Sequence, residues 1–354
     1  MKAILLAGGQ GTRLRPLTIN TPKPIVPIFN RPFLHYQIDL LKQVPEIDEV
    51  ILSLNYQPRR IEAIFGDGAS RGIRIRYVVE PEPLGTGGAV RYAGEGLTES
   101  VVVLNGDVLT QVDLAAVIAL HRQRQARATI VLTPVAHPEA YGLVETDAAG
   151  NIRRFLEKPA PGEITTNHIN AGIYVLEPDT FDRIPPGVPW SIERRYFPSL
   201  IERRETFVAY VDEGYWIDIG TPDKYTQVHR DIMDGRYATM PFLDLPPPRT
   251  AIAPDARIDP GAAIEGPCFI DGGVVVRRGA RVGPYSVIGR DTQIDEGASV
   301  EGAILWPECR IGRGAVVRDA IVGRGSRLGD GLRVDRGAVL GDETVLTDHA
   351  RGLA

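Results

Sequence analysis

Over the first 235 residues, short unbroken apolar runs alternate with helical patterns. Residues 3–7, 50–54, 73–79 and 101–104 read as strands rich in Ile, Val and Leu at consecutive positions. Runs of that length and continuity fit a sheet buried on both faces. Helices are predicted between them at 33–43, 59–65, 87–93 and 114–124. Strand and helix in alternation imply right-handed crossovers and a Rossmann-like, mostly parallel α/β sheet. After Ala126 the pattern loosens, and 129–135, 142–146, 152–157 and 171–176 read as an antiparallel extension beside that sheet.

A second pattern follows Pro241, Pro246, Pro247 and Pro248, which can continue neither helix nor sheet and mark a connector. Ile252, Ile258, Ile264, Ile270, Val276, Val282, Ile288, Ile294, Val300 and Trp306 then recur every six residues. The register slips to Ile311 and Val317, and again to Val322, Leu328, Val334, Leu340 and Leu346. Such hexads make a left-handed parallel β-helix, three short strands to a coil, with the aliphatics stacked inward. Trp306, at the slip, leaves two placements open: outside the stack against another subunit or the first domain, or plugging an irregular coil. The expected organisation is a catalytic domain at 1–235, a proline-rich linker at 236–250 and a hexapeptide-repeat domain at 251–354.

Composition narrows the function. The 354 residues suit two domains, and 43% apolar with 24% charged residues argues for a folded protein over a disordered one. A net charge of −5 gives no reason to expect nucleic acid or an anionic membrane as partner. No apolar run approaches the ~18 residues of a membrane span. The first run breaks at Gly8, too soon for a secretory leader. Two cysteines, Cys268 and Cys309, are too few for a disulfide framework or a zinc knuckle and suit a reducing, cytoplasmic setting.

The first strand runs into Gly8, Gly9 and Gly11, followed by Arg13 and Arg15, with Lys23 between Pro22 and Pro24. Glycines just past a buried strand let backbone N–H groups approach phosphate oxygens. The loop is not a dinucleotide fingerprint, because Leu14 stands where the third glycine belongs. Nor is it a P-loop, since no Gly-Lys-Ser/Thr closes it. Three basic residues beside it favour a polyphosphate over a plain tight turn.

LLAGGQGTRLRPLT followed by TPKPIVPIFNRP resembles the signature of the sugar-nucleotide pyrophosphorylases, the nucleoside triphosphate:sugar-1-phosphate nucleotidyltransferases. The similarity continues through EPEPLGTGGA (80–89), LNGDVL (104–109), YGLVETD (141–147), FLEKP (155–159), INAGIYVL (169–176), SIERRYFP (191–198) and WIDIGTP (216–222). It covers the whole first domain, and the hexad tail is similar to the family's long members. Among these the chain is most similar to those that act on mannose 1-phosphate.

The resemblance implies that a sugar 1-phosphate oxygen attacks the α-phosphorus of a nucleoside triphosphate in line and pyrophosphate leaves. Positioning and charge neutralisation carry such a reaction, without a protein nucleophile. It assigns Arg13 and Lys23 to the triphosphate and the backbone of Leu6, Ala7, Gly8, Gly9, Gly11 and Thr12 to its cradle. It also implies Mg²⁺ on Asp107 and Asp218, two carboxylates that follow apolar runs towards the ligand-binding edge of the sheet. Glu157 and Lys158 look like the sugar side, a carboxylate for hydroxyls and an ammonium for the 1-phosphate. Tyr141, Gly142 and Asn170 match positions that contact the sugar nucleotide.

Glu80 stands where thymidylyl- and uridylyl-transferring relatives more often carry Gln. Guanine presents two adjacent donors that one carboxylate accepts together, so Glu80 favours GTP. The plainer alternative leaves base reading to the backbone, with Gly85 allowing its approach. The rivals are a glucose-1-phosphate thymidylyl- or adenylyltransferase of the same fold and a non-catalytic regulatory subunit. The intact glycines, Arg13, Lys23, Asp107 and Asp218 argue against the subunit. A second, acyl-transferring site is disfavoured because the hexads carry a single histidine, His349. The β-helix is expected to mediate homo-oligomer assembly.

Overall fold

The computed structural model describes residues 1–348 and falls into two compact units that do not follow chain order. Met1–Gln10 joins Leu34–Asp218 in one, and Gly11–Phe33 joins the residues from Ile219 onward in the other. His349 lies outside the described residues.

The first unit alternates β1 (Lys2–Leu6), α1 (Leu34–Lys42), β2 (Glu49–Leu54), α2 (Pro58–Phe65), β3 (Arg74–Val79), α3 (Gly85–Ala93) and β4 (Val101–Asn105). The strands lie parallel in the order β3-β2-β1-β4. Ile4, Leu5, Ile51, Leu52, Val102, Val103 and Leu104 are fully buried, as two-sided burial of the apolar runs requires. Next come β5 (Val108–Thr110), α4 (Leu114–Gln123), β6 (Ala128–Pro134), β7 (Gly142–Thr146), β8 (Ile152–Glu157), β9 (His168–Leu176), α5 (Phe197–Glu202), β10 (Phe207–Val211) and β11 (Trp216–Asp218). β9 runs antiparallel to β4, β6 and β7, and β8 antiparallel to β7, so the expected antiparallel extension is present. β10, which the apolar pattern did not single out, lies parallel to β6. β5 and β11 form a separate antiparallel ribbon.

In the second unit, α6 (Pro222–Asp234) starts at Thr221, whose hydroxyl caps Lys224 N–H, and stops at Gly235 in the left-handed conformation. Beyond it, three parallel sheets stack in the arrangement of a left-handed parallel β-helix. Ile252, Ile270, Ile288, Leu305, Val322 and Leu340 form one column. Leu305, not Trp306, fills the column, so the register slips between Val300 and Leu305, one repeat earlier than the hexads imply. Trp306 is turned out of the stack yet only 2% exposed, and its indole N–H donates to the Tyr225 hydroxyl of α6 at 3.0 Å.

Within 236–250, Tyr237 and Phe242 are buried and strap the stretch down, whereas Pro246, Pro247 and Pro248 are exposed. Cys268 and Cys309 are free thiols inside the coil stack, pushed by burial to about 11 and about 12, and serve as packing residues. Among the described residues no helix is long and apolar enough to cross a membrane.

Candidate active site

The end of β1 explains the first two glycines of the loop. A β-carbon on Gly8 would lie 3.2 Å from both Asn55 N and Glu80 Oε1, whereas one on Gly9 would meet nothing within 4 Å. Gly8 thus packs tightly while Gly9 leaves its backbone open. Gly106 approaches β1 closely and donates its N–H to Leu6 O at 2.9 Å. A β-carbon there would fall 2.4 Å from that oxygen. Ala7 N–H is taken by Ser53 O. The backbone of Leu6 and Ala7 therefore locks strand ends together.

The β5–β11 ribbon brings the two expected metal ligands, Asp107 and Asp218, to adjoining backbone positions. Asp218 faces Val108 across the ribbon, and Asp107 is the residue before Val108. Asp218 is 8% exposed and accepts from Tyr141 Oη at 2.8 Å. The Asp107 turn is clamped by Gln37 of α1, whose Nε2 donates to Asn105 O at 2.8 Å and Val108 O at 3.0 Å. Among the described residues no group of three or more His, Cys, Asp or Glu side chains could hold a metal. Two hard carboxylate donors nonetheless fit a cation that keeps waters and substrate phosphate oxygens as its other ligands.

The sugar-side candidates meet at the β7–β8 pairing, where Gly142 faces Glu157. A β-carbon on Gly142 would sit 2.9 Å from both Glu157 Oε2 and Phe155 Cζ, so a larger residue there would displace the carboxylate or the ring. Burial pushes the Glu157 carboxyl above its usual range and Glu193 adds to the rise, against Lys158 and Arg194. Lys158 adopts a left-handed backbone and donates its N–H to Tyr141 O. Asn170 is bonded internally: its Oδ1 accepts from Gly172 N–H and its Nδ2 donates to Tyr174 Oη, each at 2.9 Å. These bonds form where the β9–β6 register shifts.

Glu80 is held by its own loop. It is 6% exposed, with Oε1 accepting from Ser53 Oγ at 3.0 Å and Oε2 from Leu84 N–H at 2.9 Å. The carboxylate is bonded to its own loop. Gly85 follows at φ +68°, where a β-carbon would meet Trp190 O at 2.8 Å. Trp190 also donates its N–H to Leu84 O, and its carbonyl accepts from Gly87 N–H, both at 2.8 Å.

The remaining loop candidates belong to the second unit. Gly11 is left-handed at φ +62°, and Thr18 Oγ1 donates to its carbonyl at 2.7 Å. Arg13 is exposed in the turn Thr12–Leu14. Lys23 is 9% exposed, and its Cβ lies 3.1 Å from where a Gly11 β-carbon would stand. Gln37, Ser53, Asn105, Trp190 and Trp216 carried no signal in the sequence strong enough to mark them as site residues. Gln37 had one usable sign, as the polar residue on the apolar stripe of α1, where it is 2% exposed.

Residues 2–235 match the family described as nucleotidyl transferase. The chain belongs to the nucleotidyl transferase family. Residues 264–351 of this nucleotidyltransferase match the GMPPB C-terminal domain. It is 38% identical to the mannose-1-phosphate guanylyltransferase of Mycobacterium tuberculosis, over 89% of this chain and 82% of that one. It is also 33% identical to the UTP–glucose-1-phosphate uridylyltransferase of Synechocystis, over 91% and 87%. The crystal structure of HddC from Yersinia pseudotuberculosis complexed with GMP-PN is similar at a TM-score of 0.56 and 28% identity, covering 65% of this chain and 99% of that one.

Proposed function

We propose that this nucleotidyltransferase transfers GMP from GTP to mannose 1-phosphate, releasing pyrophosphate and forming GDP-mannose. The observation that supports the reading is the β5–β11 ribbon, in which Asp107 adjoins the residue facing Asp218 and Asp218 is bonded to Tyr141. The guanylyl and mannosyl choice draws on the 38% identical relative and its name.

In this reading the open backbone at Gly9, with Arg13 and Lys23, binds the triphosphate and aligns its α-phosphorus. Lys158 holds the sugar 1-phosphate, while Glu157 accepts from sugar hydroxyls over Gly142. Asp107 and Asp218 hold Mg²⁺, which when bound neutralises charge on the phosphate oxygens. Glu80 acts as a positioning residue: by accepting from Leu84 N–H it fixes the loop whose backbone, freed at Gly85, reads the base. We also propose a reducing, cytoplasmic setting and a homo-oligomer assembled through the β-helix. Ile252 and Val345, 43% and 66% exposed on its first and last strands, are the apolar edges such assembly would cover.

A pyrophosphate-release assay over several nucleotides and sugar 1-phosphates, with and without Mg²⁺, tests the reading. Mg²⁺-dependent release greatest for GTP with mannose 1-phosphate is expected. Equal or greater release with UTP and glucose 1-phosphate would replace it with the uridylyl reading.

A further inference from the structure

We propose that the C-terminal β-helix positions Lys23 for the nucleoside triphosphate, acting through a small hairpin at residues 27–32. This rests on the reading of Lys23 as a triphosphate contact. It gives the C-terminal domain a part in the reaction beyond assembly.

The hairpin pairs Pro27 with Pro32 and Ile28 with Arg31, leaving Phe29 and Asn30 as a two-residue turn at φ +48° and +59°. A turn with both central residues left-handed is favoured by Asn-Gly and disfavoured by a bulky residue in the first place. Phe29 therefore does not stand there for the turn's sake.

Its ring lies edge-on to three others: His229 of α6 at 4.8 Å, Phe242 of the strap at 4.8 Å and Phe269 of the β-helix at 5.3 Å. Beside it, the Asn30 amide donates to the Asp271 carboxylate on the β-helix. The Pro27 carbonyl accepts from the Tyr225 hydroxyl, which in turn accepts from Trp306. The residue that makes the turn unfavourable is thus the one that fills the aromatic cage.

The hairpin and Lys23 are one hydrogen-bonded piece. Val26 N–H donates to Lys23 O at 3.1 Å, and Phe33 N–H closes the hairpin base on Val26 O at 3.0 Å. The Lys23 side chain starts against Gly11, so moving the hairpin moves both.

The test uses full-length protein carrying Phe29→Asn or Asn30→Gly. Both substitutions suit the turn and remove only the anchors, so a purely local hairpin would be unaffected or tightened. Anchoring predicts faster amide hydrogen exchange over residues 23–33. It also predicts a GTP KM raised about tenfold, with kcat and the mannose 1-phosphate KM within about twofold. Phe269→Ala, made on the β-helix itself, should give the same split, and Phe29→Leu should recover part of it. Unchanged exchange and unchanged GTP KM in Phe29→Asn and Asn30→Gly would overturn the proposal. Lys23→Met tests the underlying reading separately. If it leaves GTP binding intact, Lys23 is not the triphosphate contact, and that result is independent of the exchange over 23–33. Should Phe29→Asn fail to fold, Asn30→Gly and Phe269→Ala decide between the same two outcomes.

Discussion

Tyr141 donates its phenolic hydrogen to Oδ2 of Asp218 at 2.8 Å. Its ring stands edge-on to Trp216 at 5.5 Å, and the Trp216 indole N–H is bonded to Ala171 O. A residue expected on the sugar side therefore orients one of the two carboxylates assigned to Mg²⁺. Tyr141→Phe keeps the ring and removes a hydrogen bond to a charged group, worth about 1.5–3 kcal/mol. Loss of such an orienting partner typically weakens metal binding roughly tenfold to a hundredfold. The half-saturating Mg²⁺ concentration should rise accordingly, with the mannose 1-phosphate KM changed by less than about twofold. Mn²⁺ binding followed by electron paramagnetic resonance gives the same reading without turnover. A raised sugar-phosphate KM at unchanged Mg²⁺ dependence would return Tyr141 to the sugar side.

Gln37 bears on the other carboxylate. Replacing it with Leu leaves the carbonyls of Asn105 and Val108 without the amide that bridges them. An unsatisfied buried acceptor costs about 1–3 kcal/mol, so a lowered Tm is expected. The Asp107 turn lies between the two carbonyls, so Mn²⁺ affinity should fall as well. A lowered Tm with unaltered Mn²⁺ affinity would make Gln37 a core residue and nothing more.

What could be read from the sequence was whatever carries its own period or local chemistry. The runs at 50–54 and 101–104 need only two-sided burial to become β2 and β4, and the hexads need only stacking. Gly8, Asp107 and Asp218 stood out because chemistry restricts the residue types that serve. Partners set by long-range packing left no such trace. Nothing near Glu80 announces that Ser53 and Leu84 N–H will take its oxygens. Nothing near Trp306 announces Tyr225, and the one-residue slip that places Leu305 in the column is visible only when coils are stacked. The grouping of Gly11–Phe33 with the C-terminal strands was hidden because family motifs follow chain order while packing does not.

The Glu80 geometry changes what Glu80→Gln should do. With both carboxylate oxygens bonded inside the loop, the substitution turns one acceptor into a donor beside Ser53 Oγ or Leu84 N–H. The loop should loosen for every base, lowering kcat/KM for GTP, UTP and dTTP together by roughly tenfold. Competition between nucleotides in one reaction mixture measures the ratio directly. A selective loss of GTP use would restore direct base reading by the carboxylate.

His229 gives the second unit a dependence on pH. Burial pushes this histidine down from 6.5 to about 4, with the Tyr225 carbonyl opposing the fall. Its Nδ1 lies 2.8 Å from that carbonyl and so carries the hydrogen, while Nε2 is buried without a partner beside Phe29. A second proton would place an unmatched donor and a charge among aromatic rings. The folded pKa lies below the unfolded one, so the unfolded chain binds the proton first as pH falls. Stability from this residue is complete above about pH 6.5, declines as pH drops below that value, and stops declining near pH 4. The full shift is worth on the order of 3 kcal/mol. His229→Leu removes the titration, so its urea denaturation midpoint should be flatter than wild type across that window and parallel to it above pH 7. Hydrogen exchange over 23–33 should rise in wild type over the same interval, because the ring that must be protonated packs against the Phe29 anchor. Parallel curves for the two proteins from pH 7 to 4 would mean that the folded cage admits the proton and that acid loosens the unit elsewhere.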